Sequence, residues 1–145
     1  MVKAWSAIVS KNEEADDLIA IAATNIGPEA IVVSVDKDML QIPCRHYNPT
    51  KDVHTVVTVF EAMKFFYKQI LTGDRADNIV GLYGIGPKKA EKMVADCKTE
   101  QDFYLECLHQ YGGEEDRVLE NARLLWLRRY PEQLWEPPKC DTDQA

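Results

Sequence analysis

The apolar run from Ala30 to Val35, AIVVSV, limits the folds open to this chain more than any other stretch. It is rich in β-branched residues and lies between Pro28 and an acidic DKD motif. Such a run is typical of a strand that is buried on both faces, as in a parallel sheet.

A helix is predicted immediately before this strand, in the stretch NEEADDLIAIAATNIG. Asn12 can cap its first turn, and Asn25 and Gly27 can end it. A short strand is predicted earlier, at residues Trp5 to Val9. The order strand, helix, strand is the beginning of an α/β unit, so we expect an α/β fold.

The rest of the chain is predicted to change character after residue 57. Residues 41–57 are predicted to form short extended segments separated by turns. Thr58 and Glu61 match a capping box at the start of a helix. Helical spacing and caps predict four helices: 58–71, 87–95, 100–111 with Thr99 as cap, and 114–130 before Pro131. The predicted organisation is therefore a partial parallel-sheet core (residues 1–57), an all-helical region (58–135) and a loose tail (136–145).

Composition excludes several classes of protein. The 145 residues contain no run of 18 apolar residues and no signal-peptide pattern, so we expect no membrane association and a cytoplasmic location. The four cysteines, Cys44, Cys97, Cys107 and Cys140, are widely spaced. This spacing argues against a zinc site or a disulfide framework and suits a reducing compartment.

The net charge of −7 is unusual for a nucleic-acid binder, because phosphate contacts require cations. Seven of the 24 acidic residues lie in three short motifs, and the remaining 17 equal the 17 Lys and Arg residues. The excess charge is therefore either a solubilising property of the surface or the mark of a cation site.

The three acidic motifs lie where a ligand site could form. EADD begins the first predicted helix, DKD follows the buried strand, and GDRADN follows the long helix. On a helix, acids three apart share a face, and acids two apart on a strand point the same way. The candidate metal ligands are Glu14, Asp16, Asp17, Asp36, Asp38, Asp74 and Asp77.

Convergence of these carboxylates would demand a cation. Two carboxylates 4 Å apart repel by about 4 kcal/mol at an effective dielectric constant near 20. Ligands that are all oxygen select Mg²⁺ or Mn²⁺, and two such ions can hydrolyse a phosphodiester. Taken singly, each motif is more often an acidic first turn or a solvated strand end.

A glycine-rich hairpin follows in GLYGIGPKKAEKM. Gly84 and Gly86 permit tight turns, and Pro87 suits the first position of a helix. This arrangement binds a nucleic-acid backbone without reading its sequence, although an ordinary helix connection with surface lysines would look similar. The candidate DNA-binding residues are Gly84, Ile85, Gly86, Lys88, Lys89 and Lys92.

The motifs EADD, SVDKDMLQ, LTGDRADNIVGLYGIGPKKAEKM and NARLLWLRR together resemble the 5′ nuclease family. That family includes phage-type 5′–3′ exonucleases, flap endonucleases and the 5′-nuclease domain of bacterial DNA polymerase I. The resemblance covers residues 13–129 and is nearest to the bacteriophage branch.

The resemblance implies a fold, a site and partners. The fold is an α/β core followed by a helix-three-turn-helix region, and the seven acids would bind two Mg²⁺ or Mn²⁺ ions. Glu14, Asp16, Asp17, Asp36 and Asp38 would be catalytic, and the hairpin would contact the DNA duplex and hold a K⁺ ion. The substrates would be DNA 5′ ends and flaps.

The family also has an N-terminal half of roughly one hundred residues that this sequence does not match. It contributes a strand, two further metal-binding aspartates and a basic helical arch. A separate chain carrying that half is therefore an expected partner, and weak or no turnover is expected of this chain alone.

Two other functions remain open from the residues. The chain could be a non-catalytic helix-hairpin-helix DNA-binding module whose acids are structural. It could also be an acidic α/β protein without a nucleic-acid role, which salt-dependent DNA binding through Lys88 and Lys89 would exclude.

Overall fold

The computed structural model describes residues 8–139. They form a mixed α/β structure with five α-helices and two small sheets, in agreement with the predicted α/β class. The predicted strand Trp5–Val9 lies mostly outside the described residues, and its last two positions, Ile8 and Val9, have no regular structure. None of the helices among residues 8–139 combines the length and the apolar composition that crossing a bilayer requires.

The described chain divides into two compact units. The first unit contains residues 8–58 together with 127–133, and the second contains residues 59–126 together with 134–139. The sequence-based division assigns residues 127–133 to the helical region. We call these seven residues, Leu127–Gln133, the return segment.

The first unit consists of helix α1 (Ala15–Ile26) and a three-stranded sheet. Strand β1 (Ile31–Val33) pairs in parallel with β2 (Arg45–Asn48), which pairs in antiparallel with β3 (Val53–Val56). A 3₁₀ helix, Lys37–Gln41, links β1 to β2. Its core is small and contains Ala20, Ala23, Ala30, Val32, Met39, Ile42 and Cys44, with Leu127 packed against it.

Two expectations about this unit are wrong. The predicted strand of Ala30–Val35 is only three residues long, and it is buried on one face, because Ile31 and Val33 are 54% and 63% exposed. Small residues of the core, including two alanines of α1, cover the other face, where Val32 lies. The cap of α1 is Glu14 rather than Asn12, while Gly27 ends the helix as predicted, with a φ of 82°.

The second unit is built around α2 (Val59–Thr72). A hairpin of β4 (Gly73–Asp74) and β5 (Ile79–Val80) follows, and then α3 (Pro87–Met93), α4 (Glu100–Gln110) and α5 (Glu115–Leu125). Its larger core holds Phe66, Tyr67, Ile70, Leu71, Phe103, Cys107, Val118 and Ala122. The core also contains Ala90 of α3 and Ile79 of β5, so it joins the β4–β5 hairpin to all four helices.

The N-terminal cap of α4 lies where it was predicted, whereas the all-helical character of this unit and the end of α5 were predicted wrongly. Thr99 caps α4 as predicted, through a capping box with Asp102. The region is not all-helical, because it contains the β4–β5 hairpin. Helix α5 ends at Leu125 instead of near Tyr130, since Trp126 has extended backbone angles.

Only part of the predicted loose tail, residues 136–145, falls in the described chain. Residues 136–139 have no regular secondary structure, but Glu136 accepts a 3.1 Å hydrogen bond from Arg123 and the adjacent Trp135 is buried. Residues 140–145, which include Cys140, lie outside the described residues. Cys44, Cys97 and Cys107 are free thiols.

Candidate functional site

The EADD acids occupy the N-terminus of α1 in the first unit. Glu14 is the N-cap residue, and Asp16 and Asp17 lie in the first turn, where the positive end of the helix dipole favours carboxylates. Glu14 is exposed, Asp16 is half-buried and Asp17 is buried. The three acids therefore differ in solvent exposure, although they are neighbours in sequence.

The DKD acids do not continue the strand, so the predicted shared strand face is wrong. Asp36 is the N-cap of the 3₁₀ helix, and its Oδ1 accepts a 2.9 Å hydrogen bond from the Asp38 amide. The Ser34 hydroxyl accepts a 3.0 Å hydrogen bond from the Asp36 amide. Local polar contacts, rather than strand pleating, therefore set the positions of Asp36 and Asp38.

The return segment connects the two acidic elements of the first unit. The Leu127 amide donates to Gln41 Oε1, and the next amide, of Arg128, donates to Asp17 Oδ1, both at 2.8 Å. Gln41 ends the 3₁₀ helix that begins after Asp36. Consecutive amides therefore bring the first turn of α1 and the 3₁₀ helix close together.

Two arginines of the return segment are also fixed to this unit. Arg128 Nη1 lies 2.6 Å from Glu13 Oε2, and this contact raises the pKa of Arg128. Arg129 Nη2 donates a 2.7 Å hydrogen bond to the Gln41 carbonyl, and burial lowers the pKa of Arg129 to about 10. The predictions drew on these arginines only as part of the NARLLWLRR motif and gave neither a role.

Replacing Asp17 will separate its structural and electrostatic roles. Asp17→Ala removes the acceptor for the Arg128 amide, and we expect the free energy of unfolding to fall by about 1–3 kcal/mol. Asp17→Asn retains an acceptor oxygen and is expected to lose less. Chemical denaturation followed by circular dichroism checks both variants, and equal losses in the two would contradict a role for the hydrogen bond.

In the second unit, Asp74 and Asp77 lie at the β4–β5 hairpin and not on a helical turn, which corrects the prediction. Asp74 ends β4, and its Oδ1 accepts hydrogen bonds from the amides of Ala76 (2.9 Å) and Asp77 (3.4 Å). A carboxylate oxygen of each aspartate lies within 4.8 Å of one on the other. This distance and the all-oxygen chemistry fit a hard divalent cation.

The base of this hairpin depends on two glycines that sequence analysis missed. Gly73 has a φ of 71°, and a Cβ on Gly81 would lie 2.3 Å from the Thr72 carbonyl carbon and 2.4 Å from the Gly73 nitrogen. The two backbone segments therefore touch directly. The only sequence signal was the position of one glycine on each side of the DRADNIV stretch.

A pocket of about 810 Å³ lies between this hairpin and the glycine loop of the same unit. Asp74, Gly81, Tyr83, Gly84 and Gly86 are among the residues that line it. Tyr83 is fully exposed. Sequence analysis missed Tyr83, because its position in a loop gives no periodic signal.

The glycine loop and α3 present an open and basic surface. Gly84 has a φ of 72° and Gly86 is the N-cap of α3, and a Cβ on either would meet no atom within 4 Å. Lys88, Lys89 and Lys92 are exposed. A ligand can therefore approach the backbone here without displacing protein atoms.

Ile85 differs from the other residues predicted to bind DNA. Its amide donates to the Leu82 carbonyl at 3.3 Å, and its side chain packs against the core of the second unit. In this conformation Ile85 anchors the glycine loop.

Comparison with known proteins identifies the relatives of this chain. No family model matches it. A protein named flap endonuclease Xni from Shewanella piezotolerans is 32% identical over 133 residues, which cover 82% of this chain and 51% of that protein. DNA polymerase I from Rhizobium leguminosarum is 36% identical over 101 residues, 61% of this chain and 10% of that protein.

The chain belongs to the 5′ nuclease family. A further flap endonuclease Xni, from Aeromonas hydrophila, is 30% identical over 146 residues and covers 85% of this chain. The chain spans about half the length of the flap endonucleases that it matches. Within the 5′ nuclease family it corresponds to the C-terminal part.

Proposed function

We propose that this chain is the C-terminal part of a metal-dependent 5′–3′ exonuclease or flap endonuclease that hydrolyses DNA phosphodiesters. One observation carries the proposal: a pair of close carboxylates, Asp74 and Asp77, belongs to the same unit as an open glycine loop with exposed lysines. This pairing suits a ligand that combines phosphates with divalent cations. The relatives named flap endonuclease support it.

We assign the metal ligands as predicted from the sequence. Glu14, Asp16, Asp17, Asp36 and Asp38 would hold ions from the first unit, and Asp74 and Asp77 would contribute to the second ion. Two Mg²⁺ or Mn²⁺ ions held by these residues would supply Lewis-acid chemistry for activation of water and stabilisation of the leaving oxygen. The side chains would hold and orient the ions, and the hydrogen bond from the Arg128 amide would restrain the carboxylate of Asp17.

The glycine loop and α3 would grip the duplex backbone in a helix-three-turn-helix arrangement of α2 and α3. Helix α3 has only seven residues, so we assign the larger share of binding to Lys88, Lys89 and Lys92 and to the open backbone at Gly84 and Gly86. We also propose a K⁺ ion bound by backbone oxygens of this loop. Tyr83, exposed beside them, is positioned to contact a sugar or a base.

The lysines give the proposal a direct test. We expect Lys88→Ala with Lys89→Ala to weaken binding to a 5′-flap duplex and to reduce the slope of log K against log salt by roughly 2, since each phosphate that a lysine neutralises adds about 0.9 to that slope. The measurement is fluorescence anisotropy over a salt series, in Ca²⁺ to limit cleavage.

Two controls make this test specific. Lys51→Ala removes an exposed lysine from the turn between β2 and β3 and should leave the slope unchanged. Gly86→Ser adds atoms to an open part of the loop, so it should weaken binding without loss of stability. Unchanged binding in the lysine double variant would exclude the DNA-binding role.

A non-catalytic DNA-binding module is the second candidate. It is favoured by the structural hydrogen bonds of three of the acids: Asp17 binds the return segment, Asp36 caps a helix and Asp74 closes a turn. Calorimetric titration with Mn²⁺ separates the two candidates. If the chain has a nuclease site, it binds Mn²⁺, and Asp36→Ala and Asp74→Ala each abolish that binding. If it is a non-catalytic module, its affinity for DNA does not depend on the metal.

We also infer that a polypeptide equivalent to the unmatched half of the relatives binds the first unit. The apolar residues Ile31, Val33 and Val56 are 54–67% exposed in a unit with a small core. Large exposed apolar patches mark interaction sites. Flap cleavage in Mg²⁺ by this chain alone, at a rate that no added chain increases, would contradict this inference; the expected rate is low or zero.

A further inference from the structure

We propose that the return segment positions the metal-binding acids of the first unit, with Arg128 and Glu13 as positioning residues. This inference rests on the proposed function, because it assigns a role toward the same metal site. Arg128 and Glu13 lie outside the seven candidate ligands.

The return segment is attached to the acidic elements at several points. Its first amide binds Gln41, which is 1% exposed and ends the 3₁₀ helix that carries Asp38. Its second amide binds Asp17 in the first turn of α1. Arg129 binds the carbonyl of Gln41 as well. One short segment therefore fixes both acidic elements with respect to each other.

Glu13 binds the return segment at two residues, Arg128 and Glu132. Its Oε2 binds Arg128 at 2.6 Å, and its Oε1 accepts a 3.3 Å hydrogen bond from the Glu132 amide. Both oxygens are therefore used within the protein, so Glu13 is a support rather than a ligand. Its side chain is only 14% exposed, which distinguishes this ion pair from a solvated surface pair.

The hydrogen bond to Asp17 has a consequence for metal binding. It restrains the carboxylate of Asp17 and leaves acceptor sites on both of its oxygens for an ion. Groups that orient metal ligands commonly change metal affinity by about 10–100-fold when they are removed. Arg128 is paired with Glu13, so the opposite charges of the pair offset each other beside Glu14 and Asp17.

The experiment measures Mn²⁺ affinity by electron paramagnetic resonance on folded protein, together with the melting temperature. We expect Arg128→Gln and Glu13→Gln each to weaken one Mn²⁺ site by about 10-fold or more. Their double variant should be no weaker than the worse single variant, because both break the same contact. Arg128→Lys, which keeps the charge, should lose less. Arg117→Gln breaks an exposed ion pair with Glu114 in the second unit and serves as the control.

The outcomes are distinguishable. Lower melting temperatures with Mn²⁺ affinities within about twofold of wild type would overturn the inference and leave a purely structural segment. Equal losses in Arg128→Lys and Arg128→Gln would also contradict it. If Arg128→Gln does not fold, Glu13→Gln and Arg128→Lys decide. Failure of the proposed function looks different: the wild type would then show no Mn²⁺ binding that Asp16→Asn or Asp36→Asn removes.

Discussion

Gly81→Ala will destabilise the second unit by about 3 kcal/mol or more. The new methyl group would lie 2.3 Å from the Thr72 carbonyl carbon, and both contacting segments are backbone, which cannot rotate away. The base of the β4–β5 hairpin must then separate, and Asp74 moves with it. Urea denaturation followed by the fluorescence of Trp126 and Trp135, which pack against Phe66 in this unit, measures the loss.

Gly86→Ser is the matched control for this prediction. Gly86 has a φ of −95° and free space around it, and serine is a favourable N-cap, so we expect a stability change within about 0.5 kcal/mol. A Gly81→Ala variant as stable as Gly86→Ser would mean that the close approach of Thr72 and Gly81 is not a feature of the protein in solution.

Asp74→Asn will weaken Mn²⁺ binding by about 100-fold or more while it preserves the hairpin. The amide oxygen still accepts from the Ala76 and Asp77 amides, but the charge beside Asp77 is lost. Loss of one carboxylate from a divalent ion at close range removes several kcal/mol of attraction, and about 1.4 kcal/mol corresponds to tenfold in affinity.

Asp74→Ala completes this comparison, because it removes both the charge and the turn hydrogen bonds. We expect it to match Asp74→Asn in Mn²⁺ affinity and to be less stable by about 1 kcal/mol. Isothermal titration calorimetry and urea denaturation give the two quantities. Mn²⁺ affinity that survives in Asp74→Asn would remove Asp74 from the metal site.

The sequence predicted the elements whose signals are local. The cap at Thr99 and the glycine that ends α1 depend on neighbouring residues, and each lies where it was predicted. The acidic motifs and the glycine loop were found because charge and glycine content are directly visible in a sequence. Their roles as ligands stay predictions.

The features that the sequence did not predict depend on contacts between distant residues. Nothing near Gly81 indicates that a Cβ there would overlap the Thr72 backbone, and nothing near Asp17 indicates that the Arg128 amide will bind it. Strand β1 was overestimated for the same reason, since burial on both faces requires a second layer that no residue beside it encodes. Helix α5 also ends earlier than predicted, and the amides that follow it bind the distant residues Gln41 and Asp17.

The assignment of residues 127–133 to the first unit makes that unit discontinuous in the chain. During synthesis on the ribosome, residues 8–58 emerge early, but their hydrogen-bond partners in Leu127–Gln133 emerge only after the whole of α2 to α5. The carboxylate of Asp17 and the side chain of Gln41 can therefore bind these amides only after residues 127 and 128 have been synthesised. A truncation at Trp126 would remove these partners from the first unit and the buried Trp135 from the core of the second.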